Sequence, residues 1–195
     1  MKRKNKNKIS QFVLNFCENI SSEKPILVPL RPVVSEPINE CFIVVPEHIS
    51  SNGGKQKIGW CIHVWRKVLI EAEFHCVWES PKGELIDISP KIYNIDSIIF
   101  LPDSAKNYSG LQVDNIRKPL ANDSSVLLFI RLMGEHYRDV NKGDLANQYG
   151  KIQVDDAFIE KYKGMGELQA NITRKYGQDR GISIGGRFIK YHMKS

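Results

Sequence analysis

Three residues able to form a covalent catalytic set lie in order along this chain: Cys41, His75 and Asp87. A cysteine is a useful nucleophile only as thiolate, and its free pKa is too high for much of that at neutral pH. A helix N-terminus and a nearby imidazolium both lower it. Cys41 stands in "NECFIVVPEHISSNGG", where a proline-rich segment gives way to an apolar run. That is the place for the first device. Asn39 reads as a plausible cap there and as a candidate oxyanion donor, together with the backbone N–H groups of a helix start. His75, in "AEFHCVWESPKGELIDISP", supplies the second device from the polar face of a strand it shares with Glu71 and Glu73. Asp87 alternates with Ile86 and Ile88, so its carboxylate is not on a frankly exposed strand and needs a partner. An imidazole N–H is a good one, because the bond fixes tautomer and ring orientation. Each residue also has a plain structural reading: a buried thiol, a strand histidine bonded to Glu73 or backbone, and a hairpin aspartate bonding its own turn.

Several elements must position these groups. "SQFVLNFCENI" reads as a short helix capped by Ser10, with Val13, Phe16, Cys17 and Ile20 on one face. Pro25, Pro29, Pro32 and Pro37 make the next segment an extended edge. A helix at Cys41 is stopped by Asn52 and Gly53. Pro46 either kinks that helix or begins it, and in the second case Cys41 loses its helix-dipole activation. The period then changes to two. "KIGWCIHVW", "VLIEAEFHCVW", "GELIDISP" and "DSIIFLP" read as antiparallel strands. Around the turn "SPKG", a two-residue loop puts His75 and Asp87 on opposite faces. A three-residue loop with Gly83 as bulge glycine makes them diagonal neighbours on one face. Residues 103–122 read as loop. A helix follows from Asp123 to about Tyr137. Another runs from Asp155 or Asp156 to Tyr176, with Phe158, Tyr162, Met165, Leu168, Ile172 and Tyr176 along its seam and Gly164 and Gly166 weakening it. The tail "RGISIGGRFIKYHMKS" reads as a strand or a mobile end.

The totals set limits. A chain of 195 residues with 42% hydrophobic content suggests one domain with a real core. "VLLFI" is the longest apolar run, so no membrane span is expected. The N-terminal apolar part is short and no cleavage site follows, so a cytoplasmic protein is expected. Cys17, Cys41, Cys61 and Cys76 are scattered without a CxxC pair, which argues against zinc and disulfides. Of the net charge of +6, residues 1–8 and 174–195 together hold +10, leaving −4 for the body. Weak nucleic-acid contact through the basic ends follows as a possibility beside simple solvation. Cys61 and His63 share a strand face but are poorly placed to bond. Cys76 points away from His75 and reads as core. Trp60, Trp65 and Trp78 read as core or cleft wall, with Trp60 and Trp78 the candidates for a substrate cleft. His75 with Glu71 and Glu73 on a single strand makes a poor metal cage. "GISIGG" is no phosphate loop, and the sequence pattern names no partner for His48, His136 or His192. Neither metal nor cofactor is expected.

The pattern "NECF…GW…AEFHCVW…G.LIDISP" resembles the transglutaminase-like branch of the papain-like cysteine superfamily. His75, Trp78, Gly83, Asp87, Ser89 and Pro90 carry the more specific half. It is also similar to uncharacterised bacterial and phage proteins related to those carrying a C-terminal SEC-C zinc motif, which is missing here. The resemblance covers roughly residues 37–90. It implies Cys41 as nucleophile, His75 as general base and acid, and Asp87 as orienting residue. The expected fold is α+β, a helix packed on an antiparallel sheet of three to five strands with additional C-terminal helices. The expected organisation is a disordered basic arm (1–9), a papain/transglutaminase-like core (10–118) and a helical C-terminal extension packed on the core (119–195). The expected function is a thiol-dependent hydrolase or acyltransferase on an amide or thioester, with a protein or peptide-like substrate. The alternative is a catalytically inactive papain-like fold that binds protein or nucleic acid.

Overall fold

The computed structural model describes residues 9–35, 40–91, 95–147 and 153–178. The basic residues 1–8, Asn39, His192 and the tail "RGISIGGRFIKYHMKS" lie outside the described residues. In order, the elements are α1 (Gln11–Cys17), β1 (Ile26–Pro29), α2 (Cys41–Asn52), β2 (Lys55–Trp65), β3 (Leu69–Glu79), β4 (Leu85–Ile86), β5 (Ser97–Pro102), β6 (Ile116–Pro119), α3 (Ser124–Val140), a 3-10 turn (Gly143–Asn147), α4 (Asp156–Tyr162) and α5 (Met165–Tyr176). The protein is α+β with a six-stranded antiparallel sheet in the order β1-β5-β2-β3-β4, and β6 pairs with β3 off that path. Among the described residues no helix is long and apolar enough to cross a membrane.

The chain divides into two compact units. One holds residues up to Ile62 and Ala72–Ser109; the other holds His63–Glu71 and the residues from Gly110 onward.

In the first unit the sheet turns until its two edges meet. Beyond β1, Leu30 bridges Asp87 in parallel. The Asp87 N–H donates to the Pro29 carbonyl at 3.0 Å, and the Arg31 N–H donates to the Asp87 carbonyl at 2.8 Å. The Val33 N–H extends the seam to Ile88. β3 is central and buried on both faces. On one face Cys76 joins Cys41, Val44, Val45, Ile86 and Ile88 in a core that docks α2. On the other, Val77 packs with Val28, Cys61, Ile98 and Phe100. β2 and β5 approach closely at Gly59, where an added Cβ would lie 2.2 Å from the Leu101 carbonyl oxygen.

In the second unit, Trp65, Val68 and Leu69 at the tip of the β2–β3 hairpin pack with Val126, Phe129 and Met133 of α3 and Ile172 of α5. Arg117 of β6 reaches the buried Glu71 carboxylate at 2.6 Å and Asp114 at 2.8 Å. Asp123 caps α3 by accepting the Ser125 N–H. Three local expectations are corrected. β6 occupies part of the stretch read as loop. The single C-terminal helix is two, α4 and α5, broken at Lys163–Gly164, where glycine gives up helix propensity. Ser10 holds the cap position of α1, but its side chain makes no capping bond.

Candidate active site

α2 begins at Cys41 and carries Pro46 within it. Of the two ways of accommodating that proline, the chain takes the one that keeps Cys41 at the helix start. Pro46 withholds the N–H that would bond the Phe42 carbonyl. The capping position is Glu40 rather than Asn39, with no side-chain cap bond. The N–H groups of Ile43 and Val44 both return to the Glu40 carbonyl. Those of Cys41 and Phe42 precede the first helical bond, where the positive end of the helix dipole lies.

His75 and Asp87 come together through the hairpin. Trp78 pairs with Ile86 and Glu79 with Leu85. The connection closes with the Ser80 N–H on the Glu84 carbonyl and the Gly83 N–H on the Ser80 carbonyl. Pro81-Lys82-Gly83 is thus a three-residue loop, with Gly83 at φ +81° and open space where a side chain would stand. That register makes His75 and Asp87 diagonal neighbours on one face. His75 Nε2 lies 3.0 Å from Asp87 Oδ2. This leaves Nδ1 as the nitrogen available to a sulfur.

β4 pairing stops at Trp78–Ile86, and beyond it the Cys76 N–H donates to Cys41 Sγ at 3.4 Å. The sulfur therefore rests against the β3 backbone where a longer β4 would have continued. His75 is a hydrogen-bond partner and a charge partner of the same sulfur. Exposure is 3% at Cys41, 1% at His75 and 0% at Asp87.

Electrostatics turn these contacts into charge states. Burial pushes the Cys41 thiol up, but the hydrogen bond from Cys76 and the charge and hydrogen bond of His75 hold it well below the ordinary 9.0. Burial draws the His75 imidazole down, yet the charges of Cys41 and Asp87 raise it to about 10, against Lys91. Burial pushes the Asp87 carboxyl up, and the cations of His75 and Lys91 with the Ser89 N–H bring it down to about 2. The favoured state is thiolate, imidazolium and carboxylate.

Sequence reasoning missed Lys91. Its Nζ lies 3.5 Å from Asp87 Oδ2, the same oxygen that His75 engages, and its side chain is only 8% exposed. The Ser89 N–H takes the other oxygen at 3.0 Å. With Lys91 included, the buried set holds two cations and two anions and is neutral. Without it the set would carry a buried net negative charge, which is costly. Its sequence signal is the i,i+4 spacing from Asp87 across "DISPK".

The remaining candidates have other surroundings. Trp60 is 2% exposed and sits in the core wall, its indole N–H donating to Asp103 at 2.9 Å and its ring edge-on to Phe74. Trp78 is half-buried beside the Cys41 core, donates to the Gly53 carbonyl and meets His48 edge-on. Phe42 stacks between Phe74 at 5.2 Å and Tyr108 at 4.0 Å. Compared with known proteins, the chain matches no family model, no curated protein and no solved structure.

Proposed function

We propose that this protein is a thiol-dependent hydrolase or acyltransferase that acts on an amide or thioester through Cys41, His75 and Asp87. The observation that carries the reading is the meeting of a buried carboxylate, an imidazole 3.0 Å from it and a sulfur that partners that imidazole by charge and hydrogen bond at a helix start. Such a set, with the order Cys, His, Asp, supports membership in the papain-like superfamily and its transglutaminase-like branch.

In the proposed reaction, Cys41 Sγ forms a bond to the carbonyl carbon, and the π electrons move to oxygen. The N–H groups of Cys41 and Phe42 are the nearest helix-start donors for that oxyanion. His75 gives its proton to the leaving nitrogen or sulfur as the bond to carbon breaks. Water or an acceptor amine then gives a proton to His75, attacks the thioester, and releases Cys41 as thiolate. Asp87 orients the ring and balances the imidazolium throughout. Because Cys41 is buried, a substrate reaches Sγ only when the side chains around it move.

Burial favours a second reading, in which the charges are a structural network inside a non-catalytic papain-like domain that binds protein or nucleic acid. Under that reading Cys41→Ala leaves function intact, whereas removal of residues 1–8 abolishes it. Iodoacetamide labelling at neutral pH separates the two. Selective labelling of Cys41, lost in His75→Ala, is expected for the hydrolase. Equal labelling of all four cysteines, or none at Cys41, ends that reading.

A further inference from the structure

Cys41 has a second sulfur beside it. Cys76 gives its backbone N–H to Cys41 Sγ at 3.4 Å, and the two sulfurs are hydrogen-bond partners of each other. Both lie in one core cluster, on the β3 face that receives α2. The remaining cysteines are elsewhere: Cys17 ends α1, and Cys61 packs with Val28, Val77, Ile98 and Phe100. Gln56 Nε2 donates to Cys76 Sγ at 3.1 Å. Burial and the neighbouring Cys41 sulfur push the Cys76 thiol well up, and this donor works against them by stabilising the negative charge that develops on the sulfur as it attacks and its proton leaves. Apolar packing alone does not call for an amide N–H on a core cysteine.

We propose that Cys76 is a resolving cysteine, which captures Cys41 as an intramolecular disulfide after Cys41 has been oxidised by a hydroperoxide. The inference rests on the reading of Cys41 as a thiolate nucleophile and adds a reversible off-state to the same site.

The steps balance. The Cys41 thiolate attacks one peroxide oxygen, and the O–O bond breaks. Two electrons leave the sulfur, giving a sulfenic acid and an alkoxide or hydroxide that takes up the His75 proton. Cys76 sulfur then bonds to Cys41 sulfur while the S–O bond breaks. The Cys76 proton leaves with the hydroxide as water. A dithiol reductant reverses the link by exchange. A hydroperoxide is small enough for a sulfur that is only 3% exposed, so this oxidation is less restricted by burial than acyl transfer is.

The test uses the full chain and hydrogen peroxide itself. Protein is treated with a small excess of peroxide, free thiols are blocked with iodoacetamide, and the chain is digested without reductant. The expected product is the Cys41 peptide joined to the Cys76 peptide, with the mass lower by two hydrogens. Dithiothreitol should then restore Cys41 labelling almost completely, because a disulfide is reversed by thiol exchange. In Cys76→Ala, Cys41 should instead advance to sulfinic acid, and the fraction that dithiothreitol fails to rescue should rise about tenfold. A wild-type protein that accumulates sulfinic acid at Cys41 without the link overturns the inference, as does a link from Cys41 to Cys17 or Cys61. If Cys76→Ala does not fold, the wild-type peptide map alone decides. Labelling of Cys41 in untreated protein reports separately on the hydrolase reading: labelled Cys41 with no peroxide link sinks only the inference, and the link without prior labelling sinks only the hydrolase.

Discussion

Replacing Asp87 by Asn should separate the chemistry of the site from its stability. The carboxylate is fully buried, faces His75 at 3.0 Å and Lys91 at 3.5 Å, and accepts the Ser89 N–H at 3.0 Å. Its pKa falls from 3.8 to about 2, chiefly through the two cations working against burial. The sign is that of a depressed acid: the stabilisation is present above 3.8 and is lost as pH falls through about 2. At neutral pH that difference corresponds to about 2 kcal/mol, shared between His75 and Lys91. The share on His75, about 1–2 kcal/mol, should lower the thiolate–imidazolium population roughly five- to thirtyfold. The rate of Cys41 alkylation at neutral pH reads that loss. The same substitution strands Lys91, and removing one partner of a buried pair costs about 3–5 kcal/mol in chemical denaturation. A double variant, Asp87→Asn with Lys91→Met, should recover much of the stability and none of the reactivity. Unchanged alkylation in Asp87→Asn would refute the coupling. Recovery of reactivity together with stability in the double variant would show that the residue acts only through folding.

Lys91→Gln should move both inflections of the Cys41 alkylation–pH profile to higher pH, because the lysine charge lowers the pKa of both Cys41 and His75; Lys91→Arg should return them, and a loss of amplitude without movement would mean a structural role alone. Gly59→Ala should destabilise the first unit by about 1–3 kcal/mol in denaturant titration, since the new methyl meets the Leu101 carbonyl at 2.2 Å and strands β2 and β5 must part; an unchanged midpoint counts against the register. Arg117→Met should cost about 3–5 kcal/mol by leaving the Glu71 carboxylate buried without its 2.6 Å cation, with no change in Cys41 labelling; slower labelling would tie the two sites together.

What the sequence disclosed follows the range of the forces involved. β2 and β3 were legible because alternation is local, and Gly83 pointed to a workable hairpin because its conformation is local too. The diagonal pairing of His75 with Asp87 followed from that register. β6 was hidden: "IRKP" has no alternation and ends in proline, so only its pairing with β3 makes it a strand. The break between α4 and α5 was half visible in Gly164, yet a continuous apolar seam argued for one helix. Lys91 was missed, since beyond its i,i+4 spacing from Asp87 nothing nearby in the chain announces its burial. The Cys76 N–H is a backbone group and leaves no trace in residue type. The meeting of Leu30 with Asp87 joins segments far apart along the chain, and no periodicity encodes it.

That seam ties the acid to the architecture. The main chain of Asp87 fastens one edge of the barrel-like sheet to the other, while its side chain steers the imidazole. A single residue is thus both clasp and charge. Heat or denaturant that loosens the Pro29–Val33 strap should release the carboxylate at the same moment, so that amide exchange at Arg31 and the loss of Cys41 reactivity rise together, ahead of global melting.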